Sequence, residues 1–134
     1  MVEVRKGSAA VRTPAVANSG YEAGEAEVHL PLALARRLGF CLKGLAGARY
    51  RVVGGFTSAY VVGEVLVRVV TSDRRTPWVR ARAVSVPGEH EVLLSDRLLD
   101  ALGIEIVRAG DGLWRFHGEP SGVLRESAEA RLWV

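Results

Sequence analysis

Side-chain amides and sulfur are scarce in this sequence. Its 134 residues contain no glutamine, one asparagine (Asn18), one methionine and one cysteine (Cys41). A single cysteine excludes an internal disulfide and a multi-cysteine metal site. Because no nucleophile motif surrounds Cys41, we interpret it as a small buried hydrophobic residue. Scarcity of amides and methionine is typical of proteins from hot environments, which avoid thermolabile residues.

Long apolar runs and charge clusters are also missing. No run reaches the roughly 18 residues of a membrane helix, and residues 1–6 lack an apolar signal region, so we expect a cytoplasmic protein without a membrane partner. The net charge is only +3 and the basic residues are scattered, so no nucleic-acid partner is expected. His29, His90 and His117 share no metal-ligand spacing. We therefore expect surface or turn histidines, no metal and no cofactor.

The residues that are present favour one all-β domain. Short β-branched runs alternate with glycine, proline and aspartate, which is typical of strands and turns. Gly54-Gly55 predicts a hairpin turn, because glycines accept positive φ. The C-terminal residues 131–134 are predicted to dock as a strand. The other predicted strands are Val11–Ala17, Val28–Leu30, Ala48–Val53, Phe56–Val70, Trp78–Val86, Glu91–Leu94, Ile104–Ala109 and Leu113–His117.

Two short helices interrupt the strands. The first is predicted over Pro31–Gly39, with the proline in its first turn and the glycine as its C-terminal stop. The second spans Asp96–Leu102, with Ser95 as its N-cap and Gly103 as its terminator. Each is only about two turns long, so the domain remains predominantly β.

Asn18-Ser19-Gly20 follows an apolar run, and alone it predicts only an ordinary turn. Three further segments give it context. A leucine-rich helix ends in Arg37-Leu38-Gly39-Phe40, a glycine-containing segment spans residues 54–58, and residues 92–104 read Val-Leu-Leu-Ser-Asp-Arg-Leu-Leu-Asp-Ala-Leu-Gly-Ile. Their order and spacing resemble the retropepsin-like aspartic peptidases, in particular prokaryotic and archaeal members. The resemblance covers roughly residues 11–117.

The resemblance implies a closed six-stranded-type acid-protease barrel with a flap hairpin and one or two short helices. It also implies that residues 1–134 form a single domain, with a core of about 11–117 and a C-terminal extension of 118–134. The family's Asp-Thr/Ser-Gly catalytic loop corresponds here to Asn18, Ser19 and Gly20. The implied substrate-binding residues are Tyr21, Glu22, Gly54, Gly55, Phe56, Thr57 and Leu94.

The family's chemistry activates a water between two carboxylates that share one proton. This chain carries one such motif, so the resemblance implies a C2 homodimer with one residue 18 from each subunit. Asparagine is nearly isosteric with aspartate but cannot take a proton from water. A second departure is Ser95, which stands where the family has glycine.

Two functions follow from this substitution. The first is an aspartic endopeptidase acting on peptides or proteins and inactivated by an Asp-to-Asn change at position 18, for which we favour engineering because the surrounding motif is intact. The alternative is a natural pseudopeptidase that binds a peptide or protein without cutting it. A basic nucleic-acid-binding β domain fits the sequence less well than either.

Overall fold

Strands dominate the protein. The structure is a computed structural model that describes the backbone of residues 1–42, 47–52 and 55–134, and the side chains of residues 1–42 and 59–134. The helices in these residues are α1 (Leu32–Arg37) and α2 (Asp96–Leu102). The strands are β1 (Val2–Lys6), β2 (Ala9–Thr13), β3 (Val16–Ala17), β4 (Glu27–His29), β5 (Gly47–Val52), β6 (Gly55–Val69), β7 (Val79–Ser85), β8 (Leu93–Leu94), β9 (Ile104–Arg108), β10 (Leu113–Phe116) and β11 (Arg125–Glu126).

Eight of these strands form one curled sheet. Its order is β2-β1-β6-β7-β4-β8-β3, with β5 paired to β6. The two end strands, β2 and β3, are joined by only Pro14 and Ala15. Three peptide steps span no more than about 11 Å, so the sheet must bend until its ends lie close together. The result is a half-barrel, in which the described strand pairings leave β2 and β3 unpaired with each other.

The long strand β6 pairs with three other strands. Its first part pairs with β5, its middle with β7 and its end with β1, all antiparallel. Gly63 marks a register irregularity opposite β7 and has φ +153°. A Cβ at this position would lie 2.7 Å from Cε1 of Phe40. Glycine is therefore required here, because the Phe40 ring packs directly against the backbone.

The hydrophobic core lies on one face of the large sheet. In β1 and β6 the buried valines alternate with polar residues such as Glu3 and Arg68, as the two-residue period of a strand requires. Both helices pack against this face. Fully or nearly buried core residues include Val4, Val28, Leu30, Leu34, Leu38, Val67, Ala83, Leu94, Leu98, Leu102 and Phe116.

A second, three-stranded sheet and the C-terminal segment complete the domain. The sheet has the order β11-β10-β9. Arg125 of β11 bridges two carboxylates, with Nη1 2.8 Å from Oδ1 of Asp73 and Nη2 2.7 Å from Oε2 of Glu119. These contacts lower the pKa of Asp73 and hold the pKa of Glu119 at about 2. The three residues thus tie the small sheet to the turn after β6.

The end of the C-terminal segment is anchored at Trp133. Trp133 is 7% exposed. Its backbone N–H donates to the carbonyl of His90 at 2.8 Å, and its indole N–H donates to Oγ1 of Thr13 at 3.0 Å. Residues 131–134 were predicted to dock as a strand. That prediction is wrong, because the last strand pairing of the C-terminal segment is that of β11.

Most predicted elements are confirmed. The observed bounds of β7, β9, β10, α1 and α2 lie within about two residues of the predicted ones, and the β5–β6 pairing confirms the hairpin. Gly103 ends α2 with φ +74°, as its terminator role requires. The predicted strand Val11–Ala17 is broken, because Pro14 has no N–H and the chain turns there from β2 to β3.

Two predictions about single residues are wrong. His29 is not a surface residue: it lies in β4, is 1% exposed and points into the interior. Cys41 is exposed instead of buried, because it lies beyond the end of α1. None of the helices in the described residues has the length and apolar content needed to cross a membrane.

Candidate functional site

The candidate site is the loop around residue 18, together with the strands that support it. The short strand β8 lies between β3 and β4 in the large sheet. It runs parallel to β3, with Val16 opposite Leu93, and antiparallel to β4, with His29 opposite Leu93. The chain therefore leaves β3, forms the Asn18 loop and returns on the other side of β8. This brings the two sequence segments of the resemblance, about 75 residues apart, into direct contact.

Three hydrogen bonds fix Asn18. Its N–H donates to the carbonyl of Leu94 at 3.3 Å, and its carbonyl accepts from the N–H of Tyr21 at 3.0 Å. Its side-chain Oδ1 accepts from the N–H of Gly20 at 3.1 Å. Because the Gly20 N–H can only donate, the oxygen must face it, and the orientation of the amide is determined. The amide nitrogen makes no hydrogen bond to any other described residue.

Ser19 and Gly20 form the exposed tip of the loop. A Cβ on Gly20 would approach Oδ1 of Asn18 to 3.3 Å, closer than most such contacts. The loop therefore combines a small residue beside the Asn18 side chain with an accessible tip. Asn18 itself is partly exposed.

The first turn of α2 anchors the far side of the loop. The N–H of Asp96 donates to the carbonyl of Tyr21 at 2.9 Å, and Oδ1 of Asp96 accepts from the N–H of Ala23 at 3.2 Å. Negative charge is favourable at a helix N-terminus, so Asp96 serves the helix and the loop together. Residues 18–23 are thus held at both ends.

A buried carboxylate lies beneath the loop. Glu27 is 2% exposed, and its Oε2 accepts from the Tyr21 hydroxyl at 2.5 Å. Nε of Arg82, on the neighbouring strand, is 3.8 Å from Oε1 of Glu27. A buried charge requires such partners to offset its desolvation. Tyr21 is therefore held by a fixed acceptor, and its ring orientation is set.

Ser95 links the start of α2 to two strands of the large sheet. Its side chain is completely buried, and its Oγ accepts from the N–H of Leu98 at 3.3 Å and from the N–H of Glu27 at 3.0 Å. The N–H of Ser95 in turn donates to the carbonyl of Glu27 at 3.1 Å. One hydroxyl therefore caps α2, as predicted, and also joins β4 to the end of β8.

The predicted substrate-binding residues do not share one environment. Tyr21 lies over Glu27, whereas Glu22 is exposed. Leu94 is 2% exposed in β8, and only its carbonyl reaches the loop. Gly55, Phe56 and Thr57 form the start of β6 opposite β5, and Gly54 lies outside the described residues.

Sequence reasoning missed Glu27 and Asp96. Glu27 reads as the end of a polar loop, and no neighbouring residue type signals that its carboxylate is buried. Asp96 did carry a signal, because an acidic residue directly after an N-cap is typical of a first helical turn. Its second contact, to the loop 73 residues earlier, has no local signature.

Comparisons with known proteins were made at three levels. A scan against protein-family models and searches of curated proteins and of solved structures found no significant match.

Proposed function

We propose that this chain has the architecture of a retropepsin-like aspartic endopeptidase, with the catalytic aspartate position occupied by Asn18. The observation that carries the proposal is the Asn18 loop itself. It leaves an edge strand, it contacts the second family segment through Leu94, and its side-chain oxygen is held by the Gly20 N–H. An aspartate could accept the same hydrogen bond with one oxygen, and its second oxygen would occupy the position of the amide nitrogen.

The proposed active unit is a homodimer. Each subunit contributes one residue 18 at the two-fold axis, and the closed acid-protease barrel and the flap function of the β5–β6 hairpin are part of the same proposal. Two aspartates at that axis would share one proton, so one could accept a proton from water while the other donates to the scissile carbonyl. Two asparagines form hydrogen bonds but cannot exchange that proton. The Asn18 form is therefore inactive.

The test is the Asn18→Asp variant with a fluorogenic library of unstructured peptides, assayed from pH 4 to pH 7. We expect cleavage with a bell-shaped pH dependence, because one carboxyl must be ionised and the other protonated. Sedimentation equilibrium should show a dimer, and Asn18→Ala is the matched inactive control. The proposal fails if the aspartate variant is dimeric and folded but cleaves no peptide, or if it remains monomeric.

The second candidate is a pseudopeptidase that binds peptides without cutting them. It is favoured by the amide at position 18, whose Oδ1 is held by the Gly20 N–H while its nitrogen makes no hydrogen bond to another described residue and can donate to a bound peptide. Here the unmodified chain should bind members of the same library, measured by fluorescence anisotropy, and Asn18→Asp should add no cleavage. The codon for residue 18 in the native gene separates a natural substitution from an engineered one.

A further inference from the structure

A cavity of about 270 Å³ lies between the large sheet and the small sheet. The strand β3 borders both this cavity and the Asn18 loop. Most of its lining is apolar and comes from both sheets, with Val2 and Val16 from the large sheet and Ile104, Ile106 and Trp114 from the small one. A closed apolar cavity of roughly 150 Å³ is enough to hold benzene. This cavity is larger, is partly open to solvent and has a minority of polar lining, so it suits a longer apolar group with a polar end.

The C-terminal segment crosses the cavity as a strap, which we define as residues 127–133. Ser127 fixes one end, because its N–H donates to the carbonyl of Gly112 at 3.0 Å. Trp133 fixes the other end through its bonds to His90 and Thr13. Between these points the strap contributes the small residues Ala128 and Ala130 to the lining. The strap is thus held at both ends without filling the space beneath it.

One arginine at the edge of the cavity has no carboxylate partner in the part of the chain that the structure describes. Arg131, in the strap, lines the cavity and stacks its guanidinium 3.8 Å from the centre of the Trp133 ring. Among the described residues, no carboxylate lies within ion-pair distance of Arg131. The second rim arginine, Arg108, is 3.9 Å from Asp111 and so is already paired. A stacked, unpaired guanidinium is an oriented donor for a carboxylate.

We propose that this cavity binds one medium-chain aliphatic carboxylate, with its hydrocarbon chain between the two sheets and its carboxylate on Arg131. Apolar burial provides the affinity for the chain, and the guanidinium provides selectivity for the anionic head. Among the described lining residues the acidic one is Glu91, whose carboxylate would repel the anionic head. The head must therefore lie at the strap end of the cavity, against Arg131. The inference is independent of any peptidase activity.

The experiment uses the full chain, decanoate below its micellar concentration, and 1-decanol as the uncharged comparison, followed by isothermal titration calorimetry. We expect saturable binding of one decanoate per chain with a Kd on the order of 10 µM. Decanol should bind at least about tenfold more weakly, because it cannot form the charge-assisted bond. Arg131→Gln should lower the affinity for decanoate to that for decanol, whereas the affinity for decanol should not change.

Two further variants complete the test. Arg12→Gln removes an exposed arginine of β2 that pairs with Glu3, away from the cavity, and should leave decanoate binding unchanged. Ile106→Trp should abolish binding by filling the cavity, with circular dichroism confirming that the variant is folded. The proposal is overturned if decanoate shows no saturable one-to-one binding, if decanol binds equally well, or if Arg12→Gln weakens binding as much as Arg131→Gln.

Discussion

Replacing Ser95 by alanine should destabilise the domain well beyond the usual effect of losing one hydroxyl. The Ser95 side chain is fully buried and its Oγ accepts two backbone hydrogen bonds, from Leu98 and from Glu27. Loss of the N-cap costs about 1 kcal/mol. The buried N–H of Glu27 is then left without an acceptor, which costs about 1–3 kcal/mol. We therefore expect the free energy of unfolding to fall by about 2–4 kcal/mol.

Urea denaturation followed by circular dichroism measures this change as a lower midpoint with an unchanged slope. For a chain of this length the melting temperature should fall by roughly 10 °C. Ser8→Ala, in the exposed turn between β1 and β2, is the matched control and should change the unfolding free energy by less than about 0.5 kcal/mol. If Ser95→Ala is as stable as this control, the two-bond role of Oγ is refuted.

Three other perturbations test separate parts of the fold. Gly63→Ala should destabilise the protein by about 2 kcal/mol or more in thermal melts, because its φ is +153° and its Cβ would lie 2.7 Å from Cε1 of Phe40. In the Arg125→Gln variant, the free energy of unfolding measured by urea titration should fall less steeply than in the parent as the pH is lowered from about 4.5 to about 2. In the parent, Glu119 has a folded pKa of about 2 against an ordinary value of 4.5, so its contribution is lost as pH falls through that range. The ring of His29 should protonate below pH 6.5 by NMR, because burial lowers its pKa, and stability should fall as the pH drops below 6.5.

Each of these perturbations has a control or a contradictory outcome. Gly110→Ala has an unstrained backbone and open space around the new Cβ, so it should be nearly neutral. Arg131→Gln removes an arginine that has no carboxylate partner among the described residues, so it should leave the acid slope of the parent unchanged. A titration midpoint for His29 at or above 6.5 would contradict its burial as the dominant influence.

Local signals in the sequence were sufficient for the two helices and for the β5–β6 and β9–β10 hairpins. Ser95 and Gly103 mark the two ends of α2, and each acts through contacts within a few residues. The Gly54-Gly55 pair likewise predicted the pairing of β5 with β6 from neighbouring residues alone. Such features depend on backbone preferences of single residue types, which a sequence displays directly.

Features set by distant contacts could not be obtained in this way. The strand β1 and its hairpin with β2 were not predicted. Val2 and Val4 do alternate with polar residues, but two apolar positions in five residues are a weak pattern, and they are buried only when β1 pairs with the distant end of β6. His29 was predicted to lie at the surface because of its residue type. In the structure it is buried, and its Nδ1–H donates a hydrogen bond to the carbonyl of Glu91 at 2.8 Å. In the candidate site, the position of Asn18 came from a resemblance, and its support by Asp96 required the structure.

The parallel pairing of β3 with β8 has a consequence for how the chain acquires its structure. Val16 pairs with Leu93, so the strand that carries the Asn18 loop has no partner until a segment 77 residues later has been synthesised and positioned. Contacts of such sequence separation are slow to form, since a long chain must close before they stabilise anything. During synthesis on the ribosome the loop would therefore be among the last parts to organise, whereas hairpins such as β5–β6 can form early.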